Sequence, residues 1–249
     1  MTLIRSALFQ IWFWAMSAVL NILFLPALAL PKAITFWGAE RWAALTLWGL
    51  RAFADIRYEV RGLENIPKGP VLIASKHQCM WDTVVMHALL KNPALILKQE
   101  LLSIPFYGWY ARKMAMIAID RSAQMKALRA MIAEAKAALA EGRPIVIFPE
   151  GTRVPVGETG EYKPGVAAVY TMLGIPCVPV ALNSGLYWPR RGYRWNPGTI
   201  VIEFLKPIDP GLKREAFMTA LESHIETATA RLVAEGQKVG APALAVREG

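Results

Sequence analysis

Ile145-Val146-Ile147-Phe148-Pro149-Glu150-Gly151-Thr152-Arg153 is an uninterrupted apolar run that ends in a proline, a glycine and a cluster of charge. A strand with one wet face alternates apolar and polar residues, whereas a run without a polar break suits a strand covered on both faces. Just upstream, Met125, Leu128, Ile132, Ala135 and Leu139 form a stripe at helical spacing. That helix begins near Ser122, a fitting N-cap, and Gly142 stops it where a left-handed turn favours glycine. Strands alternating with helices predict a mainly parallel sheet flanked by helices. The pattern extends in both directions, with strands expected at residues 56–61, 71–74, 94–97, 115–119, 145–148, 177–182 and 199–205, and a last helix from about residue 213 to 233. The expected fold class is therefore α/β, with chemistry gathered at the carboxyl ends of the strands. No internal repeat is visible.

The N-terminal part reads differently. Residues 6–31 carry no charge and are bracketed by Arg5 and Lys32. About 20 apolar residues are enough to cross a bilayer, but Pro26 and Pro31 interrupt a helix. A second apolar stretch, residues 33–50, holds only Glu40 and Arg41 as charges and spreads Trp37, Trp42 and Trp48 along it. Aromatic residues at that density suit a helix lying in a membrane interface. Three arrangements are open: a shallow two-helix anchor, a true span, and a cleaved signal peptide, although no small-residue cleavage site ends the run. The expected division is a helical membrane-anchoring segment at 1–52, an α/β domain at 53–235, and a flexible tail rich in Ala, Gly and Pro at 236–249.

Charge narrows the partners. The formal net charge of +9 favours an anionic surface. No Lys/Arg arm and no zinc or RNA-binding signature is present, which argues against nucleic acid and for acidic lipid headgroups. The two cysteines, Cys79 and Cys177, form no CxxC and no disulfide framework, as expected in a reducing compartment.

Two loops after apolar strands carry the chemistry. In Ser75-Lys76-His77-Gln78-Cys79-Met80-Trp81-Asp82, a turn into a helix can bring Asp82 back to the His77 imidazole. A carboxylate on one ring nitrogen fixes the tautomer and leaves the other nitrogen to take a proton from a hydroxyl. A loop histidine beside an aspartate is also common without catalysis. In Phe148–Arg153 the sharp exit exposes N–H groups beside a guanidinium, and Arg grips phosphate through two parallel bonds. The plainer account there is a strand-to-loop turn with solvated charges. Ile119-Asp120-Arg121 ends another apolar strand and can bring a second arginine to the same mouth, or cap the following helix as an ion pair. His87 and His224 fall inside expected helices and read as core or surface residues.

Taken together, these residues resemble the 1-acyl-glycerol-3-phosphate acyltransferases, within the wider glycerolipid acyltransferase family. Four ordered blocks carry the likeness: His77 with Asp82; residues 117–121; Phe148-Pro149-Glu150-Gly151-Thr152-Arg153; and residues 175–181. Lys98-Gln99-Glu100-Leu101 and Ile104-Pro105 are similar as well, and the likeness covers roughly residues 55–210. Lys76 stands where many members have Asn, Cys79 where Ser is frequent, and Ala118 is smaller than usual.

The resemblance implies that His77 is the base, with Asp82 orienting it, and that Lys98 supports the oxyanion or the acyl-donor side. It implies that Arg121, Glu150, Gly151, Thr152 and Arg153 hold the acceptor phosphate of lysophosphatidic acid. No metal or bound cofactor is implied. The co-substrate is an acyl thioester, either acyl-CoA or acyl carrier protein, and the product is phosphatidic acid. It further implies an N-terminal helical pair in the inner leaflet of a bacterial inner membrane, with the active site on the cytoplasmic face. The stretch Trp188-Pro189-Arg190-Arg191-Gly192-Tyr193-Arg194-Trp195 mixes cations and aromatics and is either a further contact with anionic lipid or a solvated loop. Three alternatives are retained: an acyltransferase for a phosphate-free lysolipid such as lyso-ornithine lipid, a thiol hydrolase using Cys79 beside His77, and a membrane-binding protein without catalysis.

Overall fold

The computed structural model describes residues 2–120, 124–190 and 192–241. Among these, the strands are β1 (Ile56–Arg61), β2 (Leu72–Ser75), β3 (Ala94–Lys98), β4 (Ile117–Ile119), β5 (Ile145–Ile147), β6 (Cys177–Leu182) and β7 (Gly198–Phe204). They form one seven-stranded sheet in the order β1-β7-β6-β2-β5-β3-β4. Every pairing is parallel except β6 with β7. The sheet is mainly parallel, as its continuous apolar runs predict.

Those runs are apolar throughout because successive residues serve different cores. Leu72 and Ala74 of β2, with Ile145 and Ile147 of β5, pack against α5 (Gln124–Ala140), α6 (Gly165–Leu173) and α7 (Arg214–Lys238). Ile73 and Val146 point the other way, toward α1 (Thr2–Leu23), α2 (Lys32–Gly49), α3 (Trp81–Leu89) and α4 (Tyr107–Lys113). A period of two is thus hidden inside a run with no polar member.

Strand ends fall mostly within one residue of expectation, and two boundaries differ by more, each for a local reason. β4 starts at Ile117 rather than at residue 115, because Ala115 takes a positive φ of 49°. The buried guanidinium of Arg143 donates to the Ala115 carbonyl at 3.4 Å and to that of Asn92 at 3.0 Å, and it lies 5.0 Å over the Phe36 ring. One arginine therefore joins α2 to two turns of the sheet. At the other end, α7 continues past Val233 to Lys238, so residues 236–238, read from sequence as the start of the tail, are helical. Gly236 permits this: a Cβ there would lie 2.7 Å from Leu186 Cδ1. Residues 242–249 of the expected tail lie outside the described residues.

The N-terminal segment is a pair of helices folded back on the domain. α1 stops at Leu23, a turn at Leu25–Leu28 contains Pro26, and Pro31 precedes α2. Trp12 Nε1 donates to Leu45 O at 3.2 Å and Trp42 Nε1 to Ser17 Oγ at 2.9 Å, so the helices run antiparallel. Phe9 inserts edge-on between Trp188 and Trp195, with ring centroids 5.5 and 5.6 Å away. Both tryptophans are buried, so these two aromatics clasp α1 and do not face lipid. Arg191 of that stretch lies outside the described residues. The opposite face of α1, including Ile4, Ile11, Trp14 and Ile22, is exposed. By length and composition α1 is apolar enough to cross a membrane.

Candidate active site

The site is built where β2 and β5, adjacent in the sheet, end side by side. From the end of β2 the chain turns through residues 76–80 into α3, whose first turn carries Asp82. A helix N-terminus favours a carboxylate there. Asp82 is fully buried and its oxygens are saturated with donors. Oδ2 accepts the Gln78 and Cys79 amides at 2.6 and 2.9 Å, and Oδ1 accepts Ser184 Oγ at 2.5 Å. The same Oδ2 lies 2.9 Å from His77 Nδ1. A carboxylate held this way acts as an acceptor, which assigns the proton to Nδ1 and leaves Nε2 as the basic nitrogen. The imidazole also stacks on Phe148, with ring centroids 4.2 Å apart and planes at 26°.

The loop after β5 is fastened to the same histidine. Glu150 is buried and does not project into the cleft; its Oε2 accepts the His77 amide at 3.2 Å and its Oε1 the Lys76 ammonium at 2.6 Å. Burial pushes the Glu150 carboxyl above its ordinary range, while Lys76 and the His77 N–H pull it back. In return, the Val154 amide donates to the His77 carbonyl at 2.8 Å. Gly151 takes a positive φ of 61°, and its amide closes the turn on Phe148 O at 2.8 Å. Glycine suits that left-handed position.

Beyond His77 opens a cleft of about 1280 Å³ that straddles the carboxyl ends of the central strands. His77, Lys98, Gly151, Thr152 and Arg153 all line it. Leu95 and Leu97 continue the wall on one face of the sheet, and Leu128 and Met131 on the other. The structure thus brings together His77, Asp82, Lys98, Gly151, Thr152 and Arg153, and sets Glu150 behind them. Arg121 lies outside the described residues.

Two residues of the site escape a reading of the sequence. Phe148 reads as the last apolar residue of a strand, yet its ring supports the imidazole. Ser184 is distant from Asp82 in sequence; its one signal is that it follows the apolar strand β6 at the carboxyl edge, where sites gather. Cys79 is the reverse case. It is fully buried, its Sγ donates to Ser184 Oγ at 3.3 Å, and burial followed by the Asp82 charge pushes its thiol well above the ordinary value. A thiol that is fully buried and does not line the cleft cannot reach a substrate there, which argues against the thiol-hydrolase alternative.

Geometry and comparison with known proteins agree. A family model for acyltransferases matches residues 57–183, a span that runs from β1 through β6 and holds His77, Asp82 and Arg153. The chain is 41% identical over 201 residues to a 1-acyl-sn-glycerol-3-phosphate acyltransferase of Pseudomonas aeruginosa, covering 80% of this chain and 78% of that one. It is 30% identical over 193 residues to human 1-acyl-sn-glycerol-3-phosphate acyltransferase alpha, covering 75% and 68% of the two chains. A crystal structure of the 1-acyl-sn-glycerophosphate (LPA) acyltransferase PlsC from Thermotoga maritima shares the fold, with a TM-score of 0.76, 24% identity, and coverage of 93% of this chain and 98% of that one. A matched span that contains the whole His77–Asp82 unit, and relatives aligned over most of both chains, mean that this protein belongs to the acyltransferase family.

Proposed function

We propose that the protein transfers a fatty acyl group from an acyl thioester to the sn-2 hydroxyl of 1-acyl-glycerol-3-phosphate, giving phosphatidic acid. The observation that carries this reading is an Asp82-held imidazole facing the same cleft as Arg153 and Lys98. His77 Nε2 takes the hydroxyl proton as the oxygen attacks the thioester carbonyl, and Asp82 stabilises the imidazolium that forms. Lys98 offsets the negative charge that develops on the carbonyl oxygen. Collapse of the tetrahedral adduct breaks the C–S bond, and the imidazolium returns its proton to the departing thiolate. The acceptor phosphate is held by Arg153 with the backbone of Gly151 and Thr152, and by Arg121. Glu150 acts from behind this loop, through Lys76 and the His77 amide. The acyl group is carried by the co-substrate, acyl-CoA or acyl carrier protein, so the chemistry calls for no resident cofactor.

The membrane seat follows from α1. Its inner face is pinned near both ends, by Phe9 between Trp188 and Trp195 and by the Tyr110 hydroxyl on Asn21 O at 2.6 Å. A helix pinned along its length to the α/β domain lies in one leaflet, with its exposed apolar face toward the acyl chains. We place that leaflet on the cytoplasmic side of a bacterial inner membrane, where an acyl thioester is at hand.

Purified protein on vesicles, given a labelled acyl thioester and a panel of lysolipids, tests the assignment. Transfer to lysophosphatidate is expected, with Arg153→Ala raising the acceptor KM by about 10- to 100-fold, as loss of a bidentate charge-assisted pair requires. Preference for a phosphate-free acceptor such as lyso-ornithine lipid, unaffected by Arg153→Ala, would overturn the acceptor. Parallel reactions with acyl-CoA and acyl carrier protein identify the donor.

A further inference from the structure

Lys76 is a fully buried ammonium one residue before the catalytic histidine, and such a charge persists only when it is paired. Its three partners lie on two segments, the loop after β5 and α7. Glu150 Oε1 is 2.6 Å away, both oxygens of Glu226 on α7 are at 2.8 and 3.0 Å, and the Glu158 carbonyl is at 3.3 Å. Glu226 in turn accepts from the Tyr162 hydroxyl at 2.8 Å and from Thr159 Oγ1 at 3.5 Å. Both of these belong to the loop that begins with Glu150 and carries Gly151, Thr152 and Arg153.

We infer that Glu226, acting through Lys76 and Tyr162, is a positioning residue that sets the loop carrying Arg153 in register with His77. The near leg of the loop is tied to the site without Glu226, by Val154 N on His77 O at 2.8 Å. The far leg, residues 158–162, meets the body through the Lys76–Glu226 cluster and the Tyr162 ring buried in the core, and its Gly160 amide donates back to Glu150 Oε1 at 3.3 Å. The His77–Asp82 pair has its own supports in the Gln78 and Cys79 amides and Ser184. Releasing Glu226 therefore loosens the phosphate side of the site and leaves the base in place. The signature is a change in acceptor KM without a matching change in kcat. This inference rests on the assignment of Arg153 to the acceptor phosphate.

The test is steady-state kinetics on the full-length protein in vesicles, comparing wild type with Glu226→Gln, Tyr162→Phe and the double variant. Glutamine keeps the shape of the partly exposed Glu226 side chain, so the fold is retained, and thermal melting checks this. Glu226→Gln is expected to raise the acceptor KM about tenfold, the size of one charge-assisted hydrogen bond, with kcat within about threefold and donor KM unchanged. Tyr162→Phe should give part of the same KM effect, and the double variant should be no worse than Glu226→Gln alone. Unchanged acceptor KM in Glu226→Gln overturns the inference, as do additive effects in the double variant. So does a fall in kcat that tracks a lowered melting temperature. Wild type run in the same assay separates the two claims: absence of transfer to lysophosphatidate removes the acceptor assignment, whereas transfer with an indifferent Glu226→Gln removes only the positioning role.

Discussion

At the scale of single residues, the chemistry depends on how Asp82 is held. Its two oxygens receive two amides, one hydroxyl and the imidazole, and none is left to water. Ser184→Ala removes the hydroxyl and leaves Oδ1 buried with only the thiol of Cys79, 3.8 Å away. Losing such a buried partner costs about 1–3 kcal/mol, so kcat should fall about 5- to 150-fold with both KM values little changed. A Ser184→Ala protein with wild-type kcat would show that the two amides alone hold the carboxylate. The pairing of His77 with Asp82 was legible in the sequence because one short turn after an apolar strand joins the histidine to the helix that begins with Trp81 and Asp82. The contribution of Ser184 was not, because contact across the sheet edge between distant loops leaves no local pattern. Glu150 shows a different limit: its residue type suits the cleft, and only burial and the nearby Lys76 reveal that it faces inward.

At the scale of elements, α3 joins the His77–Asp82 pair to the rest of the protein. Asp82 sits in its first turn and His87 in its last. Burial pushes the His87 pKa down from 6.5 to about 4, so the folded protein holds this imidazole neutral. The unfolded chain takes up a proton at about pH 6.5 and the folded one only near pH 4. The stability contributed by the neutral form is therefore fully present above pH 6.5 and is lost as pH falls toward 4. His87 is half-buried and lines the cleft, so solvent keeps the loss below about 3 kcal/mol, at about 1.4 kcal/mol per pKa unit. His87→Gln should flatten the decline, measured as denaturant midpoints at pH 7 and pH 4.5; an equal decline in both proteins would locate the acid sensitivity elsewhere. The strands were legible nearly to the residue, since doubly covered strands are uninterrupted apolar runs. The ends of β4 and α7 were not: Ala115 follows the grip of Arg143, and Gly236 inside a helix answers to Leu186, both of them tertiary causes.

At the scale of the whole molecule, the cleft and the apolar face of α1 belong to one packed assembly, because Trp188 and Trp195 clasp Phe9 while Arg143 ties α2 to the sheet. The composition and the uncharged N-terminal stretch made an apolar N-terminal helix legible; how that helix packs on the domain was set by contacts that no hydropathy pattern encodes. Ile11→Lys combined with Trp14→Lys changes only exposed positions and should shift the protein from vesicles to the soluble fraction by about tenfold or more, with circular dichroism unchanged. Undiminished flotation with vesicles would place the lipid contact on another surface. The central claim is that His77, oriented by Asp82, is the base for acyl transfer to a hydroxyl. The most direct measurement is kcat for wild type and His77→Ala with lysophosphatidate and acyl thioester both saturating. The account predicts a loss of about 10²- to 10⁴-fold, the range typical of a general base. A folded His77→Ala protein that keeps kcat within tenfold of wild type would contradict it.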